Sequence, residues 1–257
     1  MKNLSLNYSV QGEGESLIII HGLFGSSRNW KSLAKQFAEN FNVILLDLRN
    51  HGDSPFDAGM DYQVMVEDVV ALMDKLHISS AHILGHSMGG KVAMKLNQLY
   101  PDRVIKLIVA DIAPVGYVHD YDDVIDPVLE LDLSTVINRK DADKQLEILI
   151  PDQRVRLFLL QNLAFKQGKA CWNVNWLALK NNMQLITGYE NISQWKLDKP
   201  SLFIRGELSE YVTDKSWQLI SEHFTHAEIV TLEKAGHWLH AEQPAAFYQE
   251  VSRFIRQ

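Results

Sequence analysis

The chain has 257 residues, 46% of them hydrophobic and 22% charged, with a formal net charge of -7 and one cysteine. That length suits one domain, or one domain with an inserted lobe, and can bury a large core. The acidic balance argues against nucleic acid and anionic membrane surfaces as partners, and Cys171 alone excludes an internal disulfide framework and fits a reducing compartment.

The first residues, Met1 to Asn7, lack the apolar core of a signal peptide. Leu4 to Val10 alternates apolar and polar side chains, the pattern of a half-exposed strand. Leu17 to Ile20 is a continuous apolar run, as expected of a strand covered on both faces. It is far too short to span a bilayer, so a cytoplasmic protein is the expectation. Trp30 to Phe41 reads as a helix and Val43 to Leu46 as the next buried strand. Tyr62 to Leu76 is helical, Ala81 to Leu84 is a strand, and Met88 to about Tyr100 is helical again. Val104 to Ala110 is another apolar strand. Such alternation predicts an α/β fold with a mostly parallel, helix-covered sheet.

The rhythm breaks after Asp111. Residues 114–199 read as helical, rich in Leu, Trp and Asn, with no clear strand. It resumes with a strand at Ser201 to Arg205, a helix at Thr213 to His223, a strand at Glu228 to Leu232 and a helix at Pro244 to Ile255. The expected organisation is a core of residues 1–113 and 200–257 with a helical cap, 114–199, inserted between core strands. The cap should lie over the carboxyl ends of the strands, where open α/β sheets carry their ligands.

Gly85-His86-Ser87-Met88-Gly89 stands between a strand and a helix. A G-x-S-x-G sequence there presents its serine at the apex of a sharp turn, the setting of a nucleophile. The hydroxyl still needs a base. His237, in Ala235-Gly236-His237-Trp238, follows the last strand and is the candidate. The turn His21 to Gly25 follows the second strand. It would aim the Leu23 amide into the cleft, where the Met88 amide joins it as a second donor to an oxyanion.

Other features on this stretch carry less. Gly85-x-x-x-x-Gly90-Lys91 fits a phosphate-binding loop, but Val92 stands where Ser or Thr should bind magnesium. His237 and His240 are three residues apart, yet no carboxylate or cysteine set completes a metal site, so no metal is expected. His86 and Lys91 read as packing and surface groups. Asp47, Arg49, Asn50 and His51 read as a hydrogen-bonded loop at the cleft edge. Cys171 reads as a core residue of the lobe. Trp172 and Trp176 share a helical face if that stretch is helical, and suit either the lobe core or an acyl pocket. Phe24 and Trp238 are further pocket candidates.

Together His21-Gly22-Leu23-Phe24-Gly25, Asp47-Leu48-Arg49-Asn50-His51-Gly52-Asp53-Ser54, Gly85 to Lys91 and Asp111-Ile112-Ala113-Pro114 resemble the motifs of α/β-hydrolase-fold serine hydrolases. The likeness is nearest to small bacterial esterase and thioesterase members, and weakest in the lobe. It implies a Ser-His-acid triad, no cofactor, and a small-molecule ester or thioester substrate of short to medium acyl chain. It leaves the oligomeric state open. The fold's usual acid follows the strand at Ser201 to Arg205 as G-x-x-D, but here Ser209 fills the aspartate position. A serine cannot hold the imidazolium charge as a carboxylate does. The resemblance therefore assigns the acid to Asp111, at the end of the preceding strand, with Glu207 as the alternative. Carbon–carbon hydrolases and a menaquinone-pathway lyase share these motifs and remain alternatives. So does a non-catalytic binding module, against which the presence of both Ser87 and His237 speaks.

Overall fold

The computed structural model describes residues 3–118 and 121–257. A seven-stranded sheet forms its centre. The strands and helices in chain order begin with β1 (Tyr8–Gln11), β2 (Ser16–Ile20), α1 (Lys31–Phe37), β3 (Asn42–Leu46), α2 (Tyr62–Lys75), β4 (Ala81–His86), α3 (Met88–Leu99) and β5 (Val104–Ala110). After the intervening segment come β8 (Ser201–Gly206), α8 (Asp214–His223), β9 (Ala227–Leu232), α9 (Leu239–Glu242) and α10 (Pro244–Arg256). The order across the sheet is β1-β3-β2-β4-β5-β8-β9. Only β1 runs antiparallel to its neighbour.

The unbroken apolar runs follow from two-sided burial. Ile18 and Ile20 of β2 pack with α2 and α3, while Leu17 and Ile19 pack with α1 and α10. A parallel strand with both faces covered cannot alternate in polarity. The first strand begins later than its alternating pattern predicts. The Leu4 amide donates to Asp68 and the Asn7 amide to Ser54 Oγ, so those residues bond to side chains rather than to a neighbouring strand. The first helix is also shorter than expected, because Ser27–Trp30 winds as a 3-10 turn and the helix stops at Phe37.

Strands β5 and β8 pair directly, with Leu107 opposite Ser201. Among the described residues, the chain between them adds no strand to the large sheet. It carries α4 (Asp122–Glu130), α5 (Arg139–Leu146), α6 (Gln153–Leu160), β6 (Leu163–Lys166), β7 (Lys169–Trp172) and α7 (Trp176–Thr187). The β6–β7 hairpin corrects the expectation of helices alone. Gln167 and Gly168 both have positive φ, 52° and 77°, as a two-residue hairpin turn requires. Cys171 lies on this hairpin and is only partly buried.

Candidate active site

Ser87 sits at the hinge between β4 and α3 with φ 53° and ψ -121°. A non-glycine residue held at positive φ costs roughly 1–3 kcal/mol, so its surroundings must impose it. They do so through close backbone packing. A Cβ on Gly85 would lie 2.1 Å from the Gly89 carbonyl oxygen, and one on Gly89 would lie 2.4 Å from that of Ile20. Only glycine fits either place, which is why the serine is flanked by glycines at two-residue spacing. The Ser87 amide also donates to the Ala110 carbonyl at 2.9 Å. The end of β4 is thereby tied to the end of β5.

Asp111 follows that carbonyl and is fully buried, with φ 52°. Its Oδ2 accepts from His237 Nδ1 at 2.7 Å. Its Oδ1 accepts from the Gly206 amide at 3.1 Å, and the Ser209 hydroxyl donates to Oδ2. His237 Nε2 in turn accepts from Ser87 Oγ at 3.0 Å. Serine, histidine and aspartate thus form one line of hydrogen bonds. Glu207 takes no part: its carboxylate accepts from the Lys234 amide at 2.8 Å on the exposed side of the loop.

The His237 ring is held from two sides. Tyr211 stacks on it with centroids 4.0 Å apart, and the backbone carbonyl of His237 accepts from His86 Nε2 at 2.8 Å. His86, expected as a packing group, therefore also fixes the loop that carries His237. Burial pushes the His86 imidazole well below its usual pKa, with His240 and His237 nearby adding to the effect. His86 is neutral at pH 7 and donates to the carbonyl from Nε2.

The turn Gly22 to Gly25 closes with Gly25 N–H on the Gly22 carbonyl at 3.0 Å. Among the described residues neither the Leu23 amide nor the Met88 amide has a protein acceptor. Leu23 and Met88 both border the space beside Ser87. His21 holds the turn by hydrogen bonds. Its Nδ1 donates to the Gly22 carbonyl at 2.8 Å and its Nε2 accepts from the Leu48 amide at 3.0 Å.

A cavity of about 430 Å³ opens on Ser87 and His237. Its apolar wall includes Phe24, Val124, Val155, Phe158 and Trp238. Among the described residues, Trp172 and Trp176 do not line it; of the two expected places, lobe core and acyl pocket, they take the first. Trp176 is 2% exposed and packs behind Phe24, centroids 5.1 Å apart. Trp172 meets Trp176 edge-on, centroids 5.5 Å apart.

Lys91 corrects a second expectation. It is not a surface group but 2% exposed. It lies one helical turn after Ser87, and its Nζ donates to the Thr187 and Gly188 carbonyls, both at 2.9 Å. No motif in the sequence signals those partners, which are nearly a hundred residues away.

A family model described as "alpha/beta hydrolase fold" matches residues 15–244, and the chain belongs to that family. It is similar to Esterase YbfF of Escherichia coli, 36% identical over 246 residues that cover 95% of this chain and 94% of that protein. It is also 33% identical over 264 residues to a protein of Danio rerio named sn-1-specific diacylglycerol lipase ABHD11, covering 98% of this chain and 83% of that one. Among solved structures, one described as a marine microorganism esterase aligns with a TM-score of 0.94 at 41% identity, covering 98% of this chain and 100% of that one. The expected fold and the expected kinship with small bacterial esterases both hold, and the chain is a hydrolase of that fold.

Proposed function

We propose that the chain is a serine ester hydrolase that works through an acyl-enzyme on Ser87. The observation that carries this reading is the unbroken hydrogen-bond line from Asp111 Oδ2 through the His237 ring to Ser87 Oγ. In this mechanism His237 Nε2 takes the hydroxyl proton as Ser87 Oγ attacks the acyl carbonyl carbon. The Leu23 and Met88 amides receive the developing oxyanion. His237 then gives its proton to the leaving alcohol or thiol as that bond breaks. Water, activated by the same histidine, attacks the acyl-Ser87 ester and releases the carboxylic acid. Asp111 keeps the Nδ1–H tautomer facing it and stabilises the transient imidazolium. None of these steps needs a metal or an organic cofactor.

The cavity size falls within the range of small-molecule sites, and its apolar wall favours an acyl chain of short to medium length. An acyl-CoA thioester would follow the same steps with a thiol leaving group. The esterase and lipase names of the relatives support ester substrates in general. Residues 114–199 act as a cap in this reading, since Tyr121, Val124, Val155 and Phe158 border the cavity opposite the sheet residues.

The test is fluorophosphonate labelling of the wild type and of Ser87→Ala, with both assayed on p-nitrophenyl esters of increasing chain length and on acyl-CoAs. Label on the wild type alone, with hydrolysis abolished in the variant, is the expected result. Full-rate hydrolysis by Ser87→Ala overturns the mechanism. A wild type that neither labels nor turns over points instead to a binding module.

A further inference from the structure

The loop after β3 has no role in the mechanism above, yet it reaches the oxyanion turn. His51 is fully buried and its Nε2 lies 3.2 Å from the Phe24 amide nitrogen. Its Nδ1 lies 3.0 Å from the Arg49 carbonyl oxygen. The partners fix the tautomer: Nδ1 faces an acceptor and carries the proton, so Nε2 accepts from Phe24 N–H. Burial and the neighbouring His21 push the His51 imidazole down to about 3, which keeps that lone pair free at neutral pH.

The other side of the same residue is held from the cap. Asn162, 5% exposed, donates from Nδ2 to the Phe24 carbonyl at 2.8 Å. Asn162 is itself tied down, since its carbonyl accepts from the Asn173 amide at 2.8 Å. Phe24 needs such support. It has φ 60°, a left-handed conformation that side chains other than glycine and asparagine rarely adopt. Its N–H lies on the peptide plane directly after Leu23, so fixing that plane restrains the Leu23 backbone that carries the adjacent N–H.

We propose that His51 and Asn162 are positioning residues that grip Phe24 from core and cap and hold the Leu23 amide in its oxyanion-binding orientation. The cap then does more than enclose substrate. It supplies one jaw of the clamp that shapes the transition-state site, so loosening the cap at Asn162 weakens chemistry rather than binding. This inference rests on the serine-hydrolase reading above.

The test compares His51→Leu, His51→Gln, Asn162→Leu, Asn162→Ala and the double variant His51→Leu/Asn162→Leu on one p-nitrophenyl ester. Asn162→Leu and His51→Leu are expected to lower kcat by about 10- to 100-fold with KM changed less than threefold, because a donor displaced by a fraction of an ångström fails mainly in the transition state. Affinity for a boronic acid, which forms a tetrahedral adduct on serine, should fall by the same factor. His51→Gln keeps an acceptor near the Nε2 position and should recover most of the rate. The double variant should be little worse than the poorer single one, since both groups hold one residue. Asn182→Ala, which removes a distant cap-to-core hydrogen bond to Ala58, should leave kcat unchanged. Unchanged kcat in both Asn162 variants overturns the clamp. So does a rise in KM at constant kcat, or an equal loss in Asn182→Ala. If His51→Leu does not fold, the two Asn162 variants decide alone, because their side chain lies outside the buried histidine pair. Failure of the underlying reading is separate: it appears as activity in Ser87→Ala, whatever the Asn162 variants do.

Discussion

Ser209 donates a hydrogen bond to Asp111 Oδ2, the same oxygen that accepts from His237 Nδ1. The loop position where this fold usually keeps its acid thus carries a hydroxyl that faces the acid from the end of β5. The two residues share one task. The carboxylate holds the charge, and the hydroxyl and the Gly206 amide stabilise it where Asp111 itself is fully buried.

That division predicts graded effects. Asp111→Asn should lower kcat by about 10⁴-fold, because an amide NH₂ can face Nδ1 and favour the wrong tautomer. Ser209→Ala removes one charge-assisted hydrogen bond and should cost about tenfold. Glu207→Gln, away from the ring, should stay within about twofold of wild type. Rates on p-nitrophenyl acetate, with Tm recorded for each variant, check all three. Near-native turnover by Asp111→Asn beside a dead Glu207→Gln would reverse the assignment.

The elbow glycines make a stability prediction. An added Cβ at Gly85 or Gly89 meets backbone atoms at 2.1 and 2.4 Å, and backbone cannot swing aside as a side-chain tip can. Gly85→Ala and Gly89→Ala should each lose about 3 kcal/mol or more, at the upper end for overpacking. Urea unfolding at pH 7.5 measures this. A loss below about 1 kcal/mol at either site would mean that the elbow can relax.

Acid should unfold this protein steeply. Burial pushes His51 and His240 down to about 3 and lowers His21 and His86 as well. The unfolded chain binds protons at these groups near pH 6.5 while the folded one does not. Stability from this source is therefore complete above about pH 6.5 and is lost as pH falls toward 3, at about 1.4 kcal/mol per pH unit for each proton. Urea midpoints between pH 7.5 and 4.5 should fall along a slope of several such protons. Replacing His240, which stacks on Trp30 with centroids 4.2 Å apart, by Phe should make that slope shallower by about one proton. An unchanged slope would place the effect elsewhere.

The sheet and the Ser87–His237 pair were legible because both depend on local pattern. Leu17 to Ile20 and Ala81 to Leu84 are apolar because both faces are covered, and the elbow needs glycine at fixed spacing. The β6–β7 hairpin was less legible: Leu163 to Trp172 is short, and its one strong signal, Gly168 after Gln167, lacks the Asn or Asp that usually marks such a turn. The empty acid position at Ser209 could be read, but not the hydrogen bond that Ser209 makes to Asp111. The contacts of Lys91, His51 and Asn162 are not legible, for one reason. Their partners are set by tertiary contact, across 138 residues for Asn162 and Phe24, and no periodicity encodes such a distance.

Lys91 yields the last prediction. Its Nζ faces two carbonyls at the C-terminal end of α7 and lies 5.0–5.7 Å from the ring centres of Tyr117, Tyr189 and Tyr62. Among the described residues it makes no ion pair. Burial pushes its pKa from 10.5 down to about 7, while the rings and the helix end oppose that fall. A neutral amine still has N–H groups for both carbonyls, so the contact to α7 survives deprotonation. The folded pKa lies below the unfolded one, so between about pH 7 and 10.5 the unfolded chain holds the extra proton. Lys91 therefore makes stability rise with pH across that window. Lys91→Met keeps the apolar stem and removes the titration. Its urea midpoints between pH 7 and 9.5 should rise less steeply than those of the wild type, by up to about 1.4 kcal/mol per pH unit. Parallel curves would show that the aromatic rings and the α7 carbonyls keep the ammonium charged throughout.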